Sequence, residues 1–481
     1  MTLTLPSRLE ASLGALLLVL LTGTVLLIPW KATLAAVVAI PAATVFFARP
    51  REALLAVFAM RIVVDLFHWV PMNMGGLNLL EGFGGGVAAL AAALFYLELR
   101  RVEKTPGFLA LAVYLGVLVI AAARSGEVRD AAEILAKYIS PLLLMFLVAS
   151  YMETTSLRKR FLWVVTGAGL ISLSVSLYHL LSGQMTQHFR QGYFRLVGGY
   201  ANLHNHALFL LVLNSLIFFW VMTLKKPWQR ALMLGLQGAG LLCMYNTYVR
   251  TAMTGFAVFV LVFLWLEKRY ELVGMAFVVG VALLLTNDSL QERFSDVVAV
   301  FGEGDSLGSK RTLGSGRFGI WSTSFSEFMK QSPTDIVLGL GLGGHYEMTD
   351  MYADLYRSKE KSENLDSHND YLSLLYQLGP IALVCYVGLQ ATVVRVGWRL
   401  HKTATELWTR QWARYMVALT CVTFVTNFLS NSFIQRVTVA WLFWGGVGVL
   451  FACWRQEQAL KQRQDGPVVP LAQLREAVKA G

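Results

Sequence analysis

Charged side chains are scarce in this 481-residue chain: Asp, Glu, Lys and Arg make up only 15% of it, whereas 56% of the residues are hydrophobic. A soluble domain carries roughly a quarter charged residues. The composition therefore excludes an ordinary soluble enzyme and indicates a membrane protein. Apart from the polar stretch at residues 287–369, no segment is large enough to fold as a separate soluble domain.

Cysteines and cofactor motifs are also sparse. No cysteine pair has the spacing of a zinc site, and we predict that the cysteines are small buried hydrophobic residues. The glycine-rich run at residues 339–344 lacks the preceding strand, the following helix and the later acidic residue of a dinucleotide fingerprint. The four cysteines are Cys243, Cys385, Cys421 and Cys453.

Long apolar runs are what the chain does contain. A helix needs roughly 20 apolar residues to cross a bilayer, and only helices and closed barrels satisfy their backbone groups in hydrocarbon. We predict an all-α polytopic membrane protein with about fourteen spans, within a range of about 12–14. The predicted span centres lie near residues 20, 40, 61, 90, 115, 142, 171, 214, 239, 259, 279, 383, 421 and 446.

The spans divide the chain into segments. We predict transmembrane helices 1–11 in residues 1–286, an external loop with short helices in 287–369, transmembrane helices 12–14 in 370–455 and a cytoplasmic tail in 456–481. Within the loop, Phe318–Met329 is predicted as a short helix and Leu338–Gly344 as a turn-rich connector.

The net charge of +11 comes from 41 basic and 30 acidic side chains. In a soluble protein this balance would suggest a nucleic-acid partner, but here the basic residues concentrate in every second short loop, which is the positive-inside pattern. We therefore predict no nucleic-acid partner, cytoplasmic termini and an external large loop. The basic loops lie at residues 49–51, 100–104, 158–160, 225–230, 268–269 and 399–414.

One histidine stands where the large loop returns to the apolar part of the chain, in Ser367-His368-Asn369-Asp370-Tyr371. An imidazole with its usual pKa of about 6.5 suits a general base. Asp366 and Asp370 flank it, and a carboxylate there would orient the ring. We predict that His368 is catalytic; a purely structural histidine is the alternative.

Two arginines, Arg195 and Arg250, lie at the ends of apolar stretches. A guanidinium deep in the bilayer costs about 2.5–3.5 kcal/mol on insertion scales and needs a partner. The alternative is an arginine that snorkels from a helix end. Guanidinium groups bind phosphate in a bidentate fork, so we predict a phosphate clamp, with Arg317 as a third member. Other cations predicted on the same outer surface are Lys137, Arg190, Arg293 and Arg436.

Further polar groups within apolar stretches receive structural interpretations. Arg61 and Asp65 are four residues apart, so they are predicted to neutralise each other on one helix. The alternative is a transporter in which they form a proton relay with His68. A metal site made of nearby histidines is disfavoured because carboxylates are few there; these histidines are His179, His188, His204 and His206.

Taken together, four segments resemble the O-antigen ligase and O-antigen polymerase superfamily of bacterial envelope glycosyltransferases. One departure is Asn202-Leu203-His204-Asn205, where the family often has asparagine-proline-asparagine. The segments cover about residues 190–390. They are Arg195–Asn202, Thr247–Ala252, Ser315–Arg317 with Trp321 and Leu338–Gly341, and Ser367–Leu372 with Gly379.

The resemblance implies a GT-C-like fold and transfer of a glycan from undecaprenyl pyrophosphate to an acceptor hydroxyl at the periplasmic face of the bacterial inner membrane. It implies an inverting enzyme that uses no metal, nucleotide sugar, ATP or other cofactor. His368 would deprotonate the acceptor, while Arg195, Arg250 and Arg317 would hold the pyrophosphate. The supporting residues would be Asn202, Asp366, Asn369 and Asp370.

The acceptor separates the remaining alternatives. A polymerase extends another lipid-linked glycan and is expected to work with a chain-length regulator, whereas a ligase transfers to lipid A core. The long loop and the number of spans favour an O-antigen or exopolysaccharide polymerase, with the ligase as the close alternative. A protein O-glycosyltransferase and a lipid or sugar transporter are the further alternatives.

Overall fold

The computed structural model describes residues 41–68, 79–126, 128–184, 194–286, 317–346, 348–349 and 367–465. These residues form helices and connecting turns and contain no strand, which confirms the predicted all-α class. In chain order the helices are α1 Pro50–Val64, α2 Leu79–Leu97, α3 Leu99–Val102, α4 Phe108–Ala123, α5 Val128–Tyr151, α6 Thr155–Leu181, α7 Leu203–Thr223, α8 Pro227–Thr247, α9 Arg250–Leu266, α10 Tyr270–Thr286, α11 Arg317–Phe328, α12 Pro333–Leu338, α13 Asp370–Thr403, α14 Leu407–Leu429 and α15 Val437–Asp465.

Every predicted span centre from residue 61 onward falls inside one of these helices, whereas the centres near 20 and 40 lie outside the described residues. Within the described ranges, five helices are long and apolar enough to cross a membrane, and the count of about fourteen spans stays a prediction. The five are Arg129–Tyr151, Thr155–Leu181, Leu203–Thr223, Asp370–Thr403 and Val437–Gln462.

The centre of the bundle is formed by α7 and α15, because 83% of the apolar window of each is buried. Aromatic rings join α7 to its neighbours: Phe219 meets Trp412 with ring centroids 5.2 Å apart, and Trp412 stacks on Tyr415 at 4.6 Å. Phe259 of α9 contacts Tyr415 at 5.4 Å. Such pairs contribute roughly 0.5–1.5 kcal/mol each beyond the apolar area they bury, so they hold α7, α9 and α14 together.

The predicted basic loops gather at one end of the bundle. Arg51 pairs with Glu153 at 2.9 Å, and Arg101 binds the same carboxylate. The Thr155 hydroxyl donates to Glu406 at 2.9 Å, which ties the start of α6 to the start of α14. The long helices that follow α6 and α14 alternate in direction. The first residues of α7, α9, α13 and α15 therefore lie at the end of the bundle opposite the basic loops.

Helix α13 is broken at Gly379, where φ is 74° and ψ is 177°. The break removes helical partners from carbonyl groups of the preceding turn. Two of these carbonyls are satisfied from outside the helix: Tyr376 O accepts from Leu340 N at 2.8 Å, and Gln377 O accepts from Gly341 N at 3.1 Å. A backbone break at membrane depth needs such replacement bonds, so the break and the connector stabilise each other.

The connector Leu338–Gly344, predicted as turn-rich, is also fixed on its other side. Leu342 N donates to the Ser125 hydroxyl at 2.9 Å. In α12, the Asp335 carboxylate binds Arg124 at 2.5 Å. The hydroxyl of Ser332, together with Arg124, holds the pKa of the Asp335 carboxyl below its usual value. The return path from the large loop is therefore bonded to the end of α4 as well as to α13.

The predicted pairing of Arg61 with Asp65 is confirmed: the two side chains are 3.0 Å apart and both are buried. Arg61 Nε also donates to the Thr438 hydroxyl at 3.0 Å, and that hydroxyl donates to Asp65. This triad joins the end of α1 to the start of α15. It neutralises the buried charges where an isolated charge would be costly.

Replacing Gly379 by alanine is expected to destabilise the protein by about 1–3 kcal/mol, because φ is positive there and an added Cβ would lie 2.2 Å from Val337 O. The matched control is Gly388→Ala in the same helix, where a Cβ meets nothing within 4 Å. Thermal unfolding of the purified protein in detergent measures both variants. Equal melting temperatures for the two variants would contradict this account of the break.

Candidate functional site

The segment before α7 carries Arg195 to the end of α8. Leu196 N donates to Asn246 O at 2.9 Å, and Arg195 Nη2 donates to Tyr248 O at 3.1 Å. Arg195 is half-buried. Its guanidinium therefore lies beside the tight connection between α8 and α9.

That connection also places Arg250. Helix α8 ends at Thr247, its C-cap residue Tyr248 is left-handed with φ 55°, and α9 begins at Arg250 immediately after Val249. The backbone N–H groups at the start of a helix and the helix dipole favour anions. Arg250 adds a formal positive charge to the same helix end, so this end of α9 is suited to an anion.

Arg317 is the first residue of α11 and approaches from the large loop. Its Nη1 atom donates to the backbone oxygen of Leu429, at the end of α14. Burial, and then the charge of Arg250, lower the pKa of the Arg317 guanidinium. Two cations that repel each other in a partly buried place would be stabilised by a bound anion.

His368 is held immediately before α13 in a left-handed conformation, with φ 50°. Its neighbours fix the backbone on both sides. Trp321 Nε1 donates to Ser367 O at 2.8 Å, and the Asn369 side chain caps α13 by accepting from Tyr371 N at 3.0 Å. A left-handed non-glycine residue costs roughly 1–3 kcal/mol and persists only where the surroundings impose it. The imidazole is therefore carried on a constrained backbone.

One side chain lies within electrostatic range of several of these segments. His204, in the first turn of α7, interacts electrostatically with Arg195, Arg317, Arg436 and His368. Its Nδ1 atom is buried and has no hydrogen-bond partner among the described residues. Arg250 joins them because its charge acts on Arg317. Residues from five separate parts of the chain thus form one site, which we call the cationic cluster: Arg195, His204, Arg250, Arg317, His368 and Arg436.

The predicted supporting residues take up different places. Asn202 caps α7 by accepting from His204 N at 2.8 Å, and Asn369 caps α13. Asp370 is fully buried, and its Oδ2 atom accepts from Ser432 N at 2.7 Å. Asp366 lies outside the described residues. The two asparagines therefore position cluster segments, and Asp370 binds the turn that follows α14.

His206, considered above as a metal ligand, is engaged in the fold. Its Nε2 atom lies 2.8 Å from the Ser176 hydroxyl, and its Nδ1 atom lies 3.3 Å from Leu196 O. A Cβ on Gly198, where φ is 60°, would lie 2.2 Å from this ring. The buried imidazole therefore holds the segment that carries Arg195.

Two members of the cluster were not identified as site residues from the sequence. The sequence points to His204 only as part of a disfavoured metal site, and to Arg436 only as one of several surface cations. Of the other surface cations, Lys137 pairs with Glu133 at 2.5 Å, whereas Arg190 and Arg293 lie outside the described residues. The available signal was weak: His204 follows the predicted Arg195 segment, and Arg436 precedes an apolar run.

The arrangement combines two functions that a group-transfer site needs. Guanidinium groups and a helix start can bind a polyanion. An imidazole at its edge can accept a proton. Both lie at the end of the bundle opposite the basic loops. The geometry is thus compatible with attack by a hydroxyl group on a phosphorylated donor.

Residues 236–387 match the family model described as O-antigen ligase. The match confirms the predicted resemblance to the O-antigen ligase and polymerase superfamily, and it includes Arg250, Arg317 and His368. Arg195 and Asn202 precede it. No curated protein matches the chain. The five long apolar helices indicate a membrane protein, and residues 236–387 of it are similar to the O-antigen ligase family.

Trp321→Phe is expected to loosen the backbone around His368, because the Ser367 carbonyl loses its indole donor. A lost buried hydrogen bond costs about 1–3 kcal/mol when its partner is left unsatisfied, so the melting temperature of the purified protein should fall. Trp398→Phe, at a 36% exposed tryptophan in α13, is the control and should change it little. Equal effects of the two substitutions would count against the anchoring role.

Proposed function

Starting from the similarity of residues 236–387 to the O-antigen ligase family, we propose that this protein is a membrane glycosyltransferase of O-antigen synthesis. The proposed reaction moves a glycan from undecaprenyl pyrophosphate to an acceptor sugar hydroxyl. The observation that supports it most is the convergence of His368 and the arginines of the cationic cluster at one end of the bundle.

The proposed donor explains why positive charges gather in the cationic cluster. Arg195, Arg250 and Arg317 would hold the pyrophosphate, and the start of α9 would add backbone N–H groups. Negative charge grows on the leaving pyrophosphate as the bond from its oxygen to the sugar breaks. Groups that already face that charge stabilise the transition state without reorganising.

His368 is proposed as the general base. Its imidazole takes the proton of the acceptor hydroxyl as that oxygen forms a bond with the anomeric carbon. The bond between this carbon and the pyrophosphate oxygen breaks, and undecaprenyl pyrophosphate leaves with the electron pair. Attack opposite the leaving group inverts the anomeric centre. The guanidinium groups supply the charge stabilisation, so the proposed reaction needs no metal ion.

The location of the reaction is proposed from charge and helix direction. The predicted basic loops and the cationic cluster lie at opposite ends of the bundle, and basic loops favour the cytoplasmic side. The cluster would then face the periplasm, on the outer face of the bacterial inner membrane. A GT-C-like arrangement of about fourteen spans, with the large loop at residues 287–369, remains part of the proposal.

The acceptor distinguishes two forms of the proposal. We propose a polymerase, whose acceptor is a second lipid-linked glycan, because the predicted number of spans exceeds that usual for ligases and the external loop is long. A chain-length regulator would then be a partner. The ligase, which transfers to lipid A core, is the second candidate, and the description of the matched family favours it.

His368→Ala should lower transfer in reconstituted membranes by at least about 100-fold, because positioned proton transfer contributes roughly 10²–10⁴-fold. It should leave binding of the lipid pyrophosphate intact. The double substitution Arg195→Gln and Arg250→Gln should instead weaken donor binding by at least about tenfold, because each charged hydrogen bond contributes about 1.5–3 kcal/mol.

Arg395→Gln is the control for both measurements, because Arg395 is exposed on α13 beyond its break. Transfer by the unmodified protein should persist in the presence of a chelator. Full activity of His368→Ala would disprove the catalytic role, and unchanged donor binding by the double arginine variant would disprove the clamp.

A deletion strain distinguishes polymerase from ligase. Without a polymerase, single repeats on undecaprenyl pyrophosphate should accumulate; without a ligase, long lipid-linked chains should accumulate beside bare lipid A core. Analysis of the lipid-linked glycans measures both. A deletion strain that accumulates neither single repeats nor long lipid-linked chains would contradict the proposed function.

A further inference from the structure

The turn between α14 and α15, residues 430–436, is largely buried. Asn431, Ser432 and Phe433 are each at most 1% exposed. Buried backbone groups need partners. The hydrogen bonds made by the backbone of this turn therefore show which elements hold it in place.

The turn is bonded to the first residues of α13. Asp370 Oδ2 accepts from Ser432 N at 2.7 Å and from Ile434 N at 3.2 Å. Gln435 Nε2 donates to the Ser373 hydroxyl at 2.8 Å. Asp370 follows His368 by two residues, so the segment that carries the proposed base also holds the turn.

The turn is fixed at its other edges as well. Phe433 N donates to Asn427 Oδ1 at 3.0 Å, and Arg317 donates to Leu429 O just before the turn. After the turn, Thr438 is bound by the buried Arg61 and Asp65 pair. Bonds from α1, α11, α13 and α14 therefore determine where the last residue of the turn lies.

That last residue is Arg436. Its Nε atom donates to Asn431 O at 3.3 Å, and the side chain is half-buried. Its positive charge interacts electrostatically with His204, as do the charges of His368, Arg317 and Arg195. The turn, which is bonded to the first residues of α13, thus places the Arg436 guanidinium within electrostatic range of His204.

We propose that Arg436 is a further anion-binding residue of the site and that Asp370 is the positioning residue that places it. The substrate identity rests on the proposed function: the anion would be the pyrophosphate of the lipid donor. Asp370 then acts through the backbone of residues 432–434. The alternative is that its negative charge acts on the His368 imidazole.

Arg436→Gln tests the first part. Inorganic pyrophosphate binding to the purified full-length protein in detergent, measured by calorimetry, should weaken about tenfold, as expected for one charge-assisted contact. Arg395→Gln, an exposed site on α13 outside the cluster, should bind pyrophosphate like the unmodified protein. If Arg436→Gln binds it unchanged, the inference is wrong.

Asp370→Asn and Asp370→Ala test the second part. An amide oxygen can accept the same two backbone N–H groups, so Asp370→Asn should keep pyrophosphate affinity and most of the transfer rate. Asp370→Ala should lose affinity to the extent that Arg436→Gln does. Equal losses of transfer rate in both Asp370 variants would instead indicate that the negative charge acts on the imidazole, and the positioning role would be overturned.

A double-mutant cycle links the two residues. Because Asp370 acts through Arg436, the pair Asp370→Ala and Arg436→Gln should weaken pyrophosphate binding no more than the stronger single substitution. Additive losses would reject the link. Size-exclusion chromatography reports folding; if Asp370→Ala does not fold, Gln435→Ala removes another bond of the turn and replaces it in the cycle.

The pyrophosphate assay does not depend on glycan transfer, so the two proposals fail separately. If the protein binds pyrophosphate through Arg436 but transfers no glycan, the anion site stands and the proposed function is wrong. If transfer depends on His368 while Arg436→Gln leaves pyrophosphate binding intact, the proposed function stands and this inference is wrong.

Discussion

Backbone carbonyls cannot remain without partners in the interior of a membrane protein, and the arrangement of this site follows from how that requirement is met at Gly379. The break in α13 frees carbonyls of the preceding turn, and amides of Leu340 and Gly341 replace the lost helical bonds. The chain returning from the large loop is therefore bonded to the short helical piece at residues 370–378. His368 precedes that piece, so the same bonds determine where the imidazole lies.

The concentration of like charges is the second consequence of the fold. Guanidinium groups from segments far apart in sequence would separate in water, but each is tied to a rigid element. Arg195 donates to Tyr248 O and Arg317 to Leu429 O. Apolar packing around Phe219 and Trp412 fixes those elements relative to each other. The packing keeps these like charges near each other, and a bound polyanion would relieve their repulsion.

Much of the architecture was predictable because it depends on local composition. Apolar runs located the long helices from residue 61 onward, and the short loop helix predicted at Phe318–Met329 is observed at Arg317–Phe328. The four-residue spacing of Arg61 and Asp65 predicted their ion pair. The residues of the site were harder to predict from the sequence. The sequence does not identify His204 or Arg436 as site residues, because neither position has a local pattern that distinguishes it from a helix-end residue.

The sequence by itself determined the helical class, the positions of the apolar segments and the end of the bundle where basic loops gather, since each of these depends on the balance of apolar and charged residues within one segment. Only the tertiary structure decided which charges share a site. The bond from Asp370 to Ser432 joins residues 62 positions apart, and the one from Arg317 to Leu429 joins residues 112 apart. Such pairings depend on how whole helices pack, and local hydrophobicity carries no information about them.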